Sequence, residues 1–219
     1  MRVLIVGAGI AGLSLALALS RRGLTPRVIE RRAQLTAAGA GIVLGPNHMT
    51  ILASLGLAEA AQSSGRPLRR GIIARHDGRI LARNDLALPG LPTPVAIHRA
   101  ALQRLLLAAL PTPPETGLHP THLDLAGDHP RVTLSDASTS EWDLVVGADG
   151  IRSAVRPWIN PAAPEPRYAG YTCWRAVVPG TPTDEVWELW GPGRRLGVVP
   201  LGDDATYLFR SEDVCRERV

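Results

Sequence analysis

The sequence predicts an α/β protein: a parallel sheet with helices and a β-meander, followed by a partial antiparallel β-sheet domain. Three observations carry this. The first 30 residues read strand, glycine turn, helix, strand. A strand that reads as fully buried, Asp143-Leu144-Val145-Val146, recurs after a helix and a meander, and from Tyr168 onward the pattern turns all-β between Gly, Pro and Asp turns.

The first strand is Val3-Leu4-Ile5-Val6, and Gly7-Ala8-Gly9-Ile10-Ala11-Gly12 turns it into a helix over Leu13 to Arg22, closed by Gly23. Val28-Ile29-Glu30 is the second strand. The run from Val3 to Leu19 has no charge, follows Arg2 and contains Ala16-Leu17-Ala18, so it imitates a secretory signal. Its three glycines and its length, short of the roughly 20 apolar residues of a membrane span, favour strand, turn and helix instead.

After Glu30, AAGAGIVLGPNHMTILASLGL reads as a glycine-rich loop and a helix from about Asn47 to Leu55, stopped by Gly56. Leu68 to Leu86 form two strands around an Asp77-Gly78 hairpin turn. Proline-rich LPGLPTP leads to a helix from Arg99 to Leu110, closed by Pro111. Thr121 to Leu134 give two short strands joined by GDHP, a β-meander. Asp143 to Val146 reads as a fully buried strand ending at Gly147-Ala148-Asp149-Gly150. Beyond NPAAPEP come YTCWRAVVP, EVWELW, RLGVVPL and TYLFR.

The glycine turn is a G-x-G-x-x-G in register with a strand before it and a helix after it, the arrangement of a Rossmann-like dinucleotide site. The first glycine permits the tight turn, the second lets backbone approach a pyrophosphate, and the third lets helix pack on strand. Helix amides then face the phosphates. Glu30 lies 18 residues beyond Gly12 at the end of the second strand, where a carboxylate accepts hydrogen bonds from ribose hydroxyls. An acid there disfavours a 2′-phosphate, so FAD or NAD fits better than NADP. Simple helix–sheet packing also places small residues at these spacings and is the alternative reading.

Hydrophobic content of 45% and charged content of 20% are those of an ordinary globular protein. All 24 basic residues are arginine, scattered as short pairs, and aromatics are only 4%, so the basic, aromatic-interleaved stripe of a nucleic-acid binder is absent. Cys173 and Cys215 lie far apart, without C-x-x-C or histidine partners, so they read as buried or inert thiols and not as metal ligands. His76, His98 and His119 show no ligand spacing. With no convincing targeting segment and no membrane span, a cytoplasmic location is expected.

Four further segments carry a family resemblance. Asp143 to Arg156, DLVVGADGIRSAVR, resembles the DG motif of the single-component FAD-dependent aromatic hydroxylases and epoxidases typified by p-hydroxybenzoate hydroxylase. GAGIVLGPN resembles that family's second flavin loop, and IHRAALQRLLLAAL its helix opening on a phosphate-facing Arg. YAGYTCWRAVVPG resembles the first substrate-domain strand of the branch containing urate hydroxylase, hydroxynicotinate monooxygenase and zeaxanthin epoxidase.

The resemblance implies a discontinuous FAD-binding domain over residues 1–66 and 96–160, and a partial substrate domain over 67–95 and 161–219. It implies that Gly7, Ala8, Gly9, Ala11 and Gly12 line the FAD pyrophosphate, and that Glu30 binds the adenosine ribose with Arg31 beside it. Gly41 would approach the flavin through backbone, and Arg99 would pair with phosphate or ribityl oxygens. The backbone near Leu123 would meet adenine, Asp149 would hold the ribityl and pyrophosphate region, and Arg152 would lie on the NAD(P)H path. Read without the family, Arg99 is a solvated helix-start residue and Asp149 an N-cap. Tyr171 and Arg175 are substrate-wall candidates, whereas Trp174 is expected to pack in the core. No catalytic residue and no metal site is assigned.

The activity implied is NAD(P)H-dependent monooxygenation of a small aromatic or unsaturated substrate by dioxygen, through a flavin C4a-hydroperoxide in a dry pocket. The family also carries a second Gly-Asp motif, GDAAH-P, after the substrate domain. Gly127-Asp128 and Gly202-Asp203 do not fit it and read as ordinary turns. The expectation is therefore the N-terminal portion of such an enzyme, binding FAD weakly and inactive alone. A catalytically inactive nucleotide-binding fragment, or half of a split flavoprotein needing a partner chain, is the alternative. An NAD-dependent dehydrogenase is disfavoured by the DG motif and the β-rich second half.

Overall fold

The computed structural model describes residues 1–35, 40–202 and 204–214. The chain opens with β1 (Val3–Val6), α1 (Ile10–Ser20) and β2 (Arg27–Glu30). Then come β3 (Gly41–Leu44), α2 (Pro46–Ser54), α3 (Ala58–Ser63), β4 (Gly65–Pro67), β5 (Arg70–Arg75), β6 (Ile80–Asp85), β7 (Val95–His98) and α4 (Arg99–Ala109). β8 (Glu115–Thr116), β9 (Pro120–Asp124), β10 (Arg131–Leu134), β11 (Thr139–Glu141), β12 (Leu144–Gly147) and α5 (Arg156–Ile159) follow. The last elements are β13 (Tyr171–Pro179), β14 (Val186–Gly191), β15 (Arg194–Pro200) and β16 (Ala205–Asp213).

One compact unit comprises Met1–Thr36 and Gln103–Pro166. Its sheet has the order β12-β1-β2-β8, and every pairing in it is parallel. Val3 to Val6 are buried throughout, because α1 covers the sheet and buries Leu13, Ala16 and Leu17. The antiparallel meander β11-β10-β9 contributes Leu123, Val132 and Leu134 to a core shared with Leu4, Val6, Ile29 and Trp142. These strand alternations fit one buried and one wet face. The expected parallel pairing of Val3–Val6 with Val28–Glu30 is present.

The second unit comprises Ala37–Leu102 and Arg167–Val219. Here the sheet β13-β16-β15-β14-β5-β6 packs with the smaller sheet β3-β7-β4 around Leu68, Ala96, Val199, Leu201 and Tyr207. These units divide the chain elsewhere than the expected functional partition, because β3 and β4 both pair with β7 and so hold residues 41–67 in the β-rich unit.

Several local expectations need correction. Gly41 to Leu44 is a strand, not part of a loop, since its backbone pairs with β7. The DLVV strand is not fully buried: β12 is the sheet's outer strand, and Leu144 is 41% exposed. The second sheet is antiparallel except where β14 lies parallel to β5. α3 and β4 had no clear sequence signal, being short segments of small and polar residues, AEAAQS and GRP. Trp174 is 53% exposed and not in the core, with the Arg210 guanidinium 5.5 Å from its ring. Cys173 is half-buried and unpaired, and Cys215 and Asp203 lie outside the described residues. Among the described residues no helix is long and apolar enough to cross a membrane.

Candidate functional site

The loop between β1 and α1 is built almost wholly from backbone. Gly7 sits at φ +108°, and its N–H donates to the Ile29 carbonyl at 2.8 Å, tying the turn to β2. A Cβ on Gly7 would lie 2.5 Å from the Ala148 oxygen, and one on Gly12 would overlap the Gly7 oxygen. The first and third glycines are therefore required by the protein's own packing.

Gly9 differs. Its φ of −75° and ψ of 179° suit any residue, and a Cβ there would meet nothing within 4 Å. Gly9 is also the N-cap of α1, and among the described residues no side chain caps that helix end. The first amides of α1 therefore lack the partner that Ser, Thr, Asp or Asn usually supplies. An open approach, an uncapped helix N-terminus and the aligned peptide dipoles together suit an anion arriving from outside the protein.

Glu30 closes the loop from the β2 side. Its Oε2 accepts the Ala8 N–H at 3.0 Å, and its Oε1 accepts the Arg32 N–H at 3.0 Å. Two amides thus fix the carboxylate, which keeps lone pairs for a further donor such as a ribose hydroxyl. β8 buttresses this end: the Leu118 N–H donates to the Glu30 carbonyl at 3.0 Å, and Arg27 makes a two-pronged ion pair with Glu115, 2.7 Å on each arm. That pair holds the Glu115 carboxyl below the ordinary carboxylate range and raises Arg27.

The same unit holds three more sequence candidates. Asp149 Oδ2 accepts the Ala154 N–H at 2.7 Å and the Val155 N–H at 3.4 Å, so its carboxylate caps the turn leading into α5. Leu123 faces the core while its strand, β9, forms the outer edge of the meander. Arg31 and Arg152 are exposed.

In the second unit Gly41 faces the Tyr207 ring so closely that a Cβ would lie 2.6 Å from it. Arg99 is exposed, and its N–H donates to the Ala40 carbonyl at 2.9 Å. Tyr171 and Arg175 occupy alternate positions of β13 and so share one face, with Trp174 on the other. Val177 on that first face pairs with Tyr207 of β16. Burial pushes the Tyr207 phenol up, against the opposing pull of the Arg175 guanidinium. The phenol therefore remains a hydrogen-bond donor at neutral pH.

Sequence reasoning missed two residues of interest. Tyr207 sits in an ordinary-looking β motif, and only the structure shows what it does to Gly41. Gln103 lies one helical turn beyond Arg99, and its Nε2 donates to the Ala8 carbonyl at 3.0 Å.

A parallel βαβ start, a glycine turn that leaves one open approach and an acid at the end of β2 define a dinucleotide-binding protein. The chain belongs to the FAD binding domain family, whose pattern matches residues 1–193. Among curated relatives, the 2-heptyl-3-hydroxy-4(1H)-quinolone synthase of Pseudomonas aeruginosa strain UCBPP-PA14 is 38% identical over 221 residues, covering 99% of this chain and 58% of that protein. The 3-amino-4-hydroxybenzoate 2-monooxygenase of Streptomyces cremeus is 37% identical over 231 residues, with the same coverages. Klebsiella pneumoniae HpxO, solved complexed with FAD and uric acid, superposes with a TM-score of 0.87 at 30% identity, over 99% of this chain and 57% of that one. The chain thus spans a little under three fifths of these relatives' length.

Proposed function

We propose that this chain forms the adenosine- and pyrophosphate-binding part, and a portion of the substrate domain, of an FAD-dependent monooxygenase. Its reductant is NADH or NADPH, and its substrate is a small aromatic or unsaturated molecule that takes one atom of dioxygen while the other leaves as water. The observation that carries the reading is Gly9, a glycine that the fold itself does not require, at the mouth of an uncapped helix. When bound, FAD supplies the redox chemistry, and the protein supplies position, electrostatics and exclusion of water.

In this reading Gly7 and Gly12 shape the loop, while Ala8, Gly9 and Ala11 present it to the pyrophosphate. Glu30 accepts from the ribose, with Arg31 alongside. The Leu123 backbone meets adenine, Gly41 offers its backbone to the flavin with Tyr207 behind it, and Arg99 neutralises phosphate. Asp149, fixed by two amides, orients the DG segment toward the ribityl chain, and Arg152 flanks the route of NAD(P)H. Tyr171 and Arg175 contribute to the substrate wall. Residues 1–66 with 96–160 serve the cofactor, and 67–95 with 161–219 serve the substrate, in the cytoplasm.

A second reading, in which a separate chain completes the flavin site, is favoured by the open edge of β12, where Leu144 is exposed. The test is a titration of the purified chain with FAD, followed by flavin fluorescence and competed with ADP and with its 2′-phosphorylated counterpart. FAD binding reversed by ADP, and much less by the 2′-phosphate, is expected. Absence of FAD binding overturns the nucleotide assignment, and equal competition overturns the role given to Glu30. Substrate-stimulated NAD(P)H oxidation with oxygen uptake in the flavin-loaded protein tests the activity, and its recovery only with an added chain would favour the second reading.

A further inference from the structure

We propose that Gln103 is a positioning residue for the cofactor pyrophosphate, acting through the peptide between Ala8 and Gly9. This rests on the proposed pyrophosphate site at the glycine loop. The Gln103 Nε2 donates to the Ala8 carbonyl at 3.0 Å across 95 residues of sequence, and Ala8 itself is 1% exposed. A carbonyl accepts only, so the amide nitrogen is the group that must face it.

The consequence follows from peptide planarity. In a trans peptide the C=O and the following N–H point in opposite directions. Holding the Ala8 oxygen on Gln103 therefore turns the Gly9 N–H away from α4. The neighbouring peptides are fixed independently. The Ala8 N–H is held by Glu30, the Gly7 oxygen abuts Gly12, and the Gly9 oxygen accepts the Leu13 N–H at 3.0 Å as α1 begins. Ala8 is thus gripped on both sides, its N–H by Glu30 and its C=O by Gln103. Of the loop peptides, the one between Ala8 and Gly9 is oriented by a side chain from a distant helix.

Gly9 lacks the Cβ that would resist rotation of this peptide. Without Gln103 the plane is free to turn its oxygen toward the phosphates, replacing a donor with a repelling acceptor. Pre-orientation by Gln103 removes that cost from binding.

The test uses Gln103→Met, which keeps the side chain's reach and removes its donor. ADP and adenosine are titrated into the 219-residue wild-type and variant chains, and the amide resonances of Gly9 and Ile10 are followed by NMR. The expected result is an ADP affinity about tenfold lower in the variant, the effect of one hydrogen bond of ordinary to upper strength, with adenosine affinity unchanged within about twofold. In the wild type, the Gly9 amide shifts strongly on ADP addition and weakly on adenosine addition. Equal ADP affinity in the two proteins, or a parallel loss for ADP and adenosine, overturns the proposal. A wild-type Gly9 amide that ADP leaves unmoved overturns it even if the variant does not fold. Wild-type protein that binds neither ADP nor adenosine instead overturns the nucleotide site on which the proposal rests.

Discussion

Replacing Gly9 by Ala should separate what the fold needs from what the cofactor needs. Gly9 has extended backbone and open space around its missing Cβ, so the substitution costs the apo protein no strain. Removing glycine restricts the unfolded chain and should stabilise by about 0.4–1 kcal/mol, roughly 1–4 °C in Tm for a protein of this size. The new methyl enters the approach to the α1 amides and, at the proposed site, would push the pyrophosphate beyond hydrogen-bond reach. One charge-assisted bond lost is about 1.5–3 kcal/mol, or roughly ten- to a hundredfold in affinity. Gly12→Ala should behave oppositely, because its methyl would overlap the Gly7 oxygen, at about 1–3 kcal/mol or more. Thermal unfolding of the apo proteins and ADP titration by calorimetry read both effects. A Gly9→Ala protein that is less stable, or that binds ADP like the wild type, would refute the reasoning.

Glu30→Ala removes the acceptor of two loop amides, each worth about 0.5–1.5 kcal/mol net, so both Tm and FAD affinity should fall; unchanged values by melting and fluorescence titration would remove Glu30 from the site. Asp149→Ala should cost about 0.5–2 kcal/mol through the lost cap, with Asp149→Asn recovering most of it in urea unfolding, and the same loss in both variants would contradict the cap. Glu115 has its folded pKa depressed by Arg27, so the pair contributes above the unfolded carboxylate value and is lost as pH falls through the lower folded one. The stability gap between wild type and Glu115→Gln, at most about 1 kcal/mol for so exposed a pair, should be full at pH 7 and close below about pH 4; a gap that grows on acidification would invert the assignment.

The parallel βαβ start was legible because apolar strand, glycine turn and acid fall in one short segment, each with its own physical demand. The hairpin around Asp77-Gly78 and the four last strands were legible for the same local reason. What escaped depends on partners distant in sequence. Gly41 looks like a loop glycine until β7 pairs with it and Tyr207 presses on it. Trp174 looks like core because aromatics usually are, but its side of β13 is open. Gln103 is one of three polar residues on α4, beside two arginines, and nothing local marks its reach to Ala8. Asp149 was legible as a cap of the turn that follows it, whereas the task of Glu30 as a brace for its own loop depends on the Ala8 amide 22 residues away.

The parallel pairing of β14 with β5, Val186 against Gly71 onward, also bears on how the protein is made. Until β14 has left the ribosome, β5 and β6 are a bare two-stranded ribbon with little stability of their own. The other unit waits too, since β1 needs β12, with Val3 facing Leu144. Neither half can close early in synthesis, and such non-local closure is slow. Nascent chains of this protein should therefore spend much of their translation with β5 and β6 as an uncovered ribbon and β1 and β2 still lacking β12.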